Sequence, residues 1–155
     1  MTDIEVRTLV DAPAAVVFDL ELDVDVHAAS LAGSEERATT SSGSRRLGLG
    51  DEVTFRARHL GLVWTLTSRV TALDRPHRFV DEQVRGPFRA MRHEHEFHER
   101  GAGRTEMVDR MTFTAPLGPV GAVVARAVLA PYLRRLLRQR AAYVQQVAER
   151  SARGG

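Results

Sequence analysis

The sequence predicts an α+β fold: a curved antiparallel sheet of about seven strands, two short helices after the first strand, and a long C-terminal helix gripped by the sheet. Three observations carry this. Apolar residues alternate with polar ones in successive runs from Asp51 to Phe113. Gly- or Pro-containing turns separate those runs at Leu60-Gly61, Asp74-Arg-Pro76, Arg85-Gly-Pro87 and Arg100-Gly-Ala-Gly-Arg104. After Pro116-Leu-Gly-Pro119 the apolar residues recur at helical spacing instead.

Ile4 to Val10 alternates and forms the first strand, and Asp11-Ala-Pro13 starts a helix, with Asp as cap and Pro in the first turn. A second short helix covers Leu22 to Ser30. Glu35 to Ser42 carries a weaker strand pattern before the Gly-rich link Gly43–Gly50. The next strand, Asp51 to His59, puts Val53, Phe55, Ala57 and His59 on one face. Leu62–Leu73 and Phe79–Val84 follow as strands.

The centre of the chain is the hairpin of Phe88–Phe97 and Thr105–Phe113. A register centred on Ala102 sets His95 opposite Asp109, Phe97 opposite Met107, His93 opposite Met111 and Met91 opposite Phe113, all on one face. The other face carries Arg92, Glu94, His98, Glu106, Arg110 and Thr112, a charge ladder suited to water. A one-residue slip would exchange the two faces, so the pattern sets the register. A register centred on Gly86 sets Gln83 opposite Arg89, Asp81 opposite Met91 and Phe79 opposite His93. The Asp74 turn sets Arg69 opposite Glu82 on the charged face, where Arg69, Glu82, Glu94 and Arg110 are expected to be solvent-exposed partners.

The C-terminal pattern predicts one long helix, kinked or broken near Pro131, with Leu133, Leu136, Leu137 and Val144 inward. Arg134, Arg135, Arg138 and Arg140 read as its solvated side, and 151–155 as a frayed tail. No repeat or linker divides the 155 residues, so 1–155 is expected to be a single domain.

Composition narrows the function. The chain has no Cys, which excludes thiolate metal sites and is compatible with a reducing, cytoplasmic location. All 22 basic residues are Arg, so there is no Schiff-base lysine and no phosphate-binding Gly-Lys-Ser/Thr loop at Gly43–Gly50. Net charge is only +2, and the pI near 9.9 reflects how high Arg titrates; no nucleic-acid partner is expected. Met1–Glu5 shows no signal-peptide pattern, and the longest apolar stretch, Ala115–Ala125, is shorter than the about 20 residues a spanning helix needs, so no integral membrane contact is expected.

A sheet gripping a helix leaves a cavity between them. The face turned to it carries Phe79, Asp81, Gln83, Arg89, Met91, His93, His95, Phe97, Asp109, Met111 and Phe113, with His59 on its own strand and His27 at the mouth. These are the candidate ligand-binding residues: a few polar groups converging in an apolar lining, suited to a small hydrophobic molecule. The His95–Asp109 pair is open to two uses. It is a buried structural hydrogen bond or ligand-orienting pair, or the acid–base centre of an enzyme, with His95 or His93 as base, Asp109 orienting it and Arg89 or Gln83 holding an oxygen. Inward imidazoles and carboxylates also resemble metal ligands, but no complete ligand motif is present, so neither metal nor cofactor is expected.

Asp11-Ala-Pro-Ala-Ala-Val-Val-Phe-Asp19, Phe79-Val-Asp-Glu-Gln-Val-Arg-Gly-Pro-Phe88, Arg92-His-Glu-His95, Thr105-Glu-Met-Val-Asp109, Pro116-Leu-Gly-Pro-Val-Gly121 and Tyr132-Leu-Arg-Arg-Leu-Leu137 resemble the START-like helix-grip (SRPBCC) superfamily, in particular its polyketide cyclase/dehydrase and lipid-transport-like branch. The resemblance spans roughly residues 4–150. It implies the helix-grip fold and a hydrophobic cavity. For function it implies a carrier or binding module, a cyclase or dehydratase acting on a polyketide-like or other carbonyl substrate, or a protein-interaction or stress-associated module.

Overall fold

The computed structural model describes residues 1–31, 33 and 37–154. Its elements run β1 (Thr2–Val10), α1 (Ala14–Glu21), α2 (Val24–Ser30), β2 (Arg37–Thr40), β3 (Glu52–His59), β4 (Leu62–Asp74), β5 (Arg78–Arg85), β6 (Ala90–Glu99), β7 (Thr105–Thr114), α3 (Gly118–Val124), a π-helical segment (Ala125–Leu129) and α4 (Ala130–Gly154). The seven strands form one antiparallel sheet in the order β1-β7-β6-β5-β4-β3-β2. The predicted strand at Glu35–Ser42 is β2; Glu35 and Glu36 lie outside the described residues.

The β6–β7 register is the one read from alternation: His95 pairs with Asp109, His93 with Met111 and Glu94 with Arg110. Arg69 pairs with Glu82 across β4 and β5. The β5–β6 register differs from expectation. It is centred on Pro87 rather than Gly86, so Phe79 faces His95 and Asp81 faces His93. The cause is Gln83. Its amide donates to the Phe88 carbonyl at 2.7 Å and accepts from the Phe88 N–H at 3.2 Å, which draws Phe88 into the connection. The shift moves each partner by two residues, and an even shift keeps every side chain on its face.

α1 is not capped by Asp11. Its N-cap is Pro13, while Asp11 binds Arg104 at 2.8 Å and its N–H donates to Glu149 at 3.0 Å. α2 is capped by Asp23, whose Oδ1 accepts from the N–H groups of Asp25 and Val26. At the C-terminus, Pro131 has no N–H to offer the carbonyl one turn back. The helix opens there into the π turns of Ala125–Leu129 rather than simply kinking. Ser151–Gly154, expected to fray, continue α4, while Gly155 lies outside the described residues. Gly121 is required where α3 crosses the preceding loop, because a Cβ there would lie 1.7 Å from the Pro116 carbonyl oxygen.

The core lies between the sheet and α1 and α4. Phe18 meets Phe79 and Phe97 edge-on at 5.5 and 5.3 Å, and Ala141, Val144 and Ala148 of α4 close over Ile4, Val6 and Met107. Gln145 ties α4 to β1 by donating to the Leu9 carbonyl at 3.0 Å. On the opposite sheet face Glu94 is half-buried rather than solvent-exposed. It takes Arg78 at 2.6 Å and Arg92 at 3.3 Å, with Arg110 at 3.6 Å. Arg69 binds Glu52 at 2.5 Å rather than its ladder partner Glu82.

Two substitutions separate the packed end from the open one. Phe97, fully buried among rings, should cost about 3–5 kcal/mol as Phe97→Ala. Leu137 is buried but borders a cavity, so Leu137→Ala should fall near the lower end of about 2–5 kcal/mol. Urea unfolding of both variants checks the order; a larger loss at Leu137 would contradict the packing. Glu94→Gln should lose about 1 kcal/mol or less in the same assay, since its ion pairs reach solvent.

Candidate functional site

The N-terminal half of α4 stands away from the sheet and leaves a cavity of about 430 Å³. Its walls come from β3 and β4 (Phe55, Ala57, Trp64, Leu66), from the sheet centre (Met91, Met111), and from α3 and α4 (Val120, Leu133, Leu136, Leu137). Of the predicted ligand residues, His27, His59, Asp81, Met91, His93 and Met111 line it. Phe79, His95, Phe97, Asp109 and Phe113 are buried behind that wall in the core. Arg89 is exposed, and Gln83 is occupied by the Phe88 backbone. Neither lines the cavity.

Pattern reading missed two residues that matter. Arg140, placed on the solvated side of the helix, is buried and reaches the cavity. Its Nη2 meets Glu21 Oε2 at 2.7 Å and donates to the Glu21 carbonyl at 3.2 Å. Glu21, the last residue of α1, is fully enclosed. Helical spacing was the available signal: Arg140 lies three residues from Leu137 and four from Val144, both inward.

These groups extend the β5–β7 pairs into one buried network. Asp109 Oδ1 accepts from His93 Nε2 at 3.2 Å. It also lies 3.1 Å from His95 Nδ1, close but off hydrogen-bond alignment. His95 Nε2 donates to Asp81 Oδ1 at 2.9 Å, and Ser68 Oγ donates to Asp81 Oδ2 at 2.7 Å. Glu21 Oε2 stands 3.6 Å from His95 Nδ1. Phe79 stacks on the His95 ring at 4.0 Å, and the two imidazole centroids are 3.8 Å apart.

The electrostatics assign the protons. Burial opposes charge on His95, but the paired Asp109 and Asp81 outweigh it and raise its pKa to about 9. Burial and the neighbouring His95 charge push His93 down to about 4, against the pull of Asp109. Burial also opposes charge on both aspartates, yet their imidazole partners hold them well below the usual carboxylate range. Burial raises Glu21, partly offset by Arg140. At neutral pH, His95 is therefore an imidazolium between two carboxylates, and His93 is neutral. Because ionised Asp109 only accepts, the His93 proton sits on Nε2 and Nδ1 is left as an acceptor. Nearer the mouth, His59 Nδ1 shares a 2.8 Å hydrogen bond with Tyr132 Oη, and His27 stacks on Phe55 at 4.1 Å.

Two triples, Asp81/His93/His95 and Glu21/His95/Asp109, bring possible metal-ligand atoms together. Both depend on His95. A protonated imidazole has no lone pair to give, so a cation would first have to expel that proton.

The two histidines predict a bell-shaped stability profile. His93 is neutral in the fold but protonates when unfolded, so stability rises with pH from about 4 to 6.5. His95 keeps its proton in the fold, so its contribution is complete below 6.5 and is lost as pH rises through about 9. Urea midpoints across pH should peak near 6.5. Asp109→Asn, which removes the carboxylate shared by both rings, should cost about 3–5 kcal/mol and flatten the alkaline limb. An unchanged alkaline limb would contradict the assignment.

A search of the curated proteins found no match. Among solved structures, the chain is similar to the Zhui aromatase/cyclase from Streptomyces sp. R1128 (TM-score 0.79, 23% identity, covering 96% of this chain and 94% of that one). It is also similar to TTHA0849 from Thermus thermophilus (0.75, 17%, covering 95% and 99%). Norcoclaurine synthase from Thalictrum flavum is a third (0.72, 11%, covering 94% and 85%). At these identities the likeness is one of fold. The model of the polyketide cyclase / dehydrase and lipid transport family matches residues 1–149. With the seven-stranded sheet closed on its C-terminal helix, that match places the chain in this family of the START-like helix-grip superfamily.

Proposed function

We propose that the chain acts as one ligand-binding domain, taking a small hydrophobic or aromatic molecule into the cavity and orienting it by a hydroxyl or carbonyl. The observation that carries this is the contrast within one cavity. Aliphatic and aromatic side chains make most of the wall, while Asp81, His93 and Arg140 bring charged and polar groups of the buried network to it. The His95 imidazolium holds Asp81 ionised at that wall, so a ligand hydroxyl has a charged acceptor awaiting it, and the Arg140 guanidinium is a donor for a carbonyl.

Calorimetry with 2-naphthol and naphthalene tests the reading, since the two differ only in the hydroxyl. The naphthol should bind at least about tenfold more tightly, and Asp81→Asn should erase most of that advantage, as expected for a hydrogen bond to a charged group. Equal affinities would remove the orienting role; no binding of either would remove the ligand reading.

A second reading rests on His93. Its neutral ring is held by Asp109, and Arg140 lines the same cavity, so a cyclase-type enzyme would have a base to take a proton and a donor to hold a carbonyl oxygen. His95, the other candidate base, already carries its proton. His93→Ala separates the two readings: a carrier keeps its affinity, whereas an enzyme assayed on a linear β-polycarbonyl thioester loses about 10²-fold or more in turnover.

A further inference from the structure

Two exposed apolar surfaces flank the cavity mouth. One is the tip of the β3–β4 hairpin, Leu60-Gly-Leu-Val-Trp64, where Gly61 at φ 78° turns the chain and Leu62 is 58% exposed. The other is α3 with its flanks, where Leu117, Val120 and Val123 are 80%, 68% and 67% exposed. Leu60 and Trp64 from the first, and Leu117, Val120 and Val124 from the second, also line the cavity, so the two surfaces meet at one opening. An apolar rim of this kind marks an interaction site.

Charge decides what it fits. Residues 53–73 and 110–148, which include both surfaces, contain no Asp or Glu, although the chain has 20. Of their nine Arg, Arg69, Arg110 and Arg140 are paired with carboxylates from other segments, and the other six include Arg58 and Arg126 beside the two surfaces. Arg58 sits across the ladder from Val63, and Arg126 lies between Val124 and Val128; both are exposed. No hydroxyl or titratable side chain occurs between Leu60 and Trp64, or between Ala115 and Ala125. The rim therefore presents aliphatic contact and positive charge, with no acidic side chain in either segment.

We propose that this rim docks on an anionic lipid bilayer, with the hairpin tip and α3 seated in the interfacial layer and the cavity opening into it. Trp64 matches the headgroup level, where indoles concentrate. Its Nε1 already donates to the His59 carbonyl at 2.9 Å, so burying that donor leaves it satisfied. Among the described residues no helix is long and apolar enough to cross a membrane, so the contact is peripheral. Two prongs around an opening also give an apolar ligand a path from bilayer to cavity that does not cross water. The docking goes beyond the cavity's own function and stands whichever molecule the cavity takes.

Vesicle sedimentation tests it, using phosphatidylcholine alone and phosphatidylcholine mixed with phosphatidylglycerol. The chain should bind the mixed vesicles, bind the neutral ones far less, and release in high salt. Emission from Trp64, the only Trp, should shift to the blue on binding and be quenched by brominated lipid. Leu62 and Val123 are exposed and do not line the cavity, so Leu62→Glu with Val123→Glu should leave 2-naphthol binding intact. The same variant should weaken vesicle binding by at least about tenfold, through lost insertion and added negative charge. Vesicle binding unchanged in that variant, no preference for phosphatidylglycerol, or self-association through these faces without vesicle binding would each overturn the proposal. In the unmutated chain, vesicle binding without naphthol affinity would count against the ligand reading alone.

Discussion

The structure turns on three buried acidic side chains, Glu21, Asp81 and Asp109, held with an imidazolium and a guanidinium among them. An uncompensated charge there would cost several kcal/mol, so the elements that carry the counter-charges have little freedom to shift. β5, β6 and β7 must hold the register that sets Asp81 opposite His93 and Asp109 opposite His95. α1 must end where Glu21 can reach, and α4 must turn Arg140 inward at the level of the last turn of α1. The apolar cluster around Phe18, Phe79 and Phe97 seals one side of this network. The cavity lies on the other.

That arrangement explains the charged groups in the cavity wall. Asp81, His93 and Arg140 are the members of the network that reach the wall; Glu21, His95 and Asp109 stay behind and set their charge. Binding and catalysis draw on the same geometry. A carrier uses these groups to orient an oxygen, and an enzyme of this family would use them to move a proton. The difference lies in whether a substrate atom is brought to His93. The exposed apolar rim is a separate feature of the same opening.

Much of this was legible in the sequence because alternation reports faces. Phe97 opposite Met107 and His95 opposite Asp109 followed from which residues share a side of a strand, and both pairs hold. Alternation does not report position along a strand when the shift is even. Asp81 stayed on its face while its partner changed from Met91 to His93, because the Gln83 side chain lengthened the turn through Phe88, a contact no period reveals. Glu21 and Arg140 were hidden for another reason. Each is a charged residue on an amphipathic helix, where the ordinary expectation is solvent, and only the pairing of α1 with α4 makes their burial possible. Helical spacing also does not tell inward from outward for an isolated turn: Leu117 and Val120, apolar as they are, stand outward at the mouth.

The most direct test of this account is the protonation of the two central rings. Long-range proton–nitrogen NMR at neutral pH reads both nitrogens of His93 and His95 separately. His95 should carry protons on both nitrogens, and His93 should be neutral with its proton on Nε2. A neutral His95, or a charged His93, would contradict the charge balance from which the state of the polar groups in the cavity wall is derived.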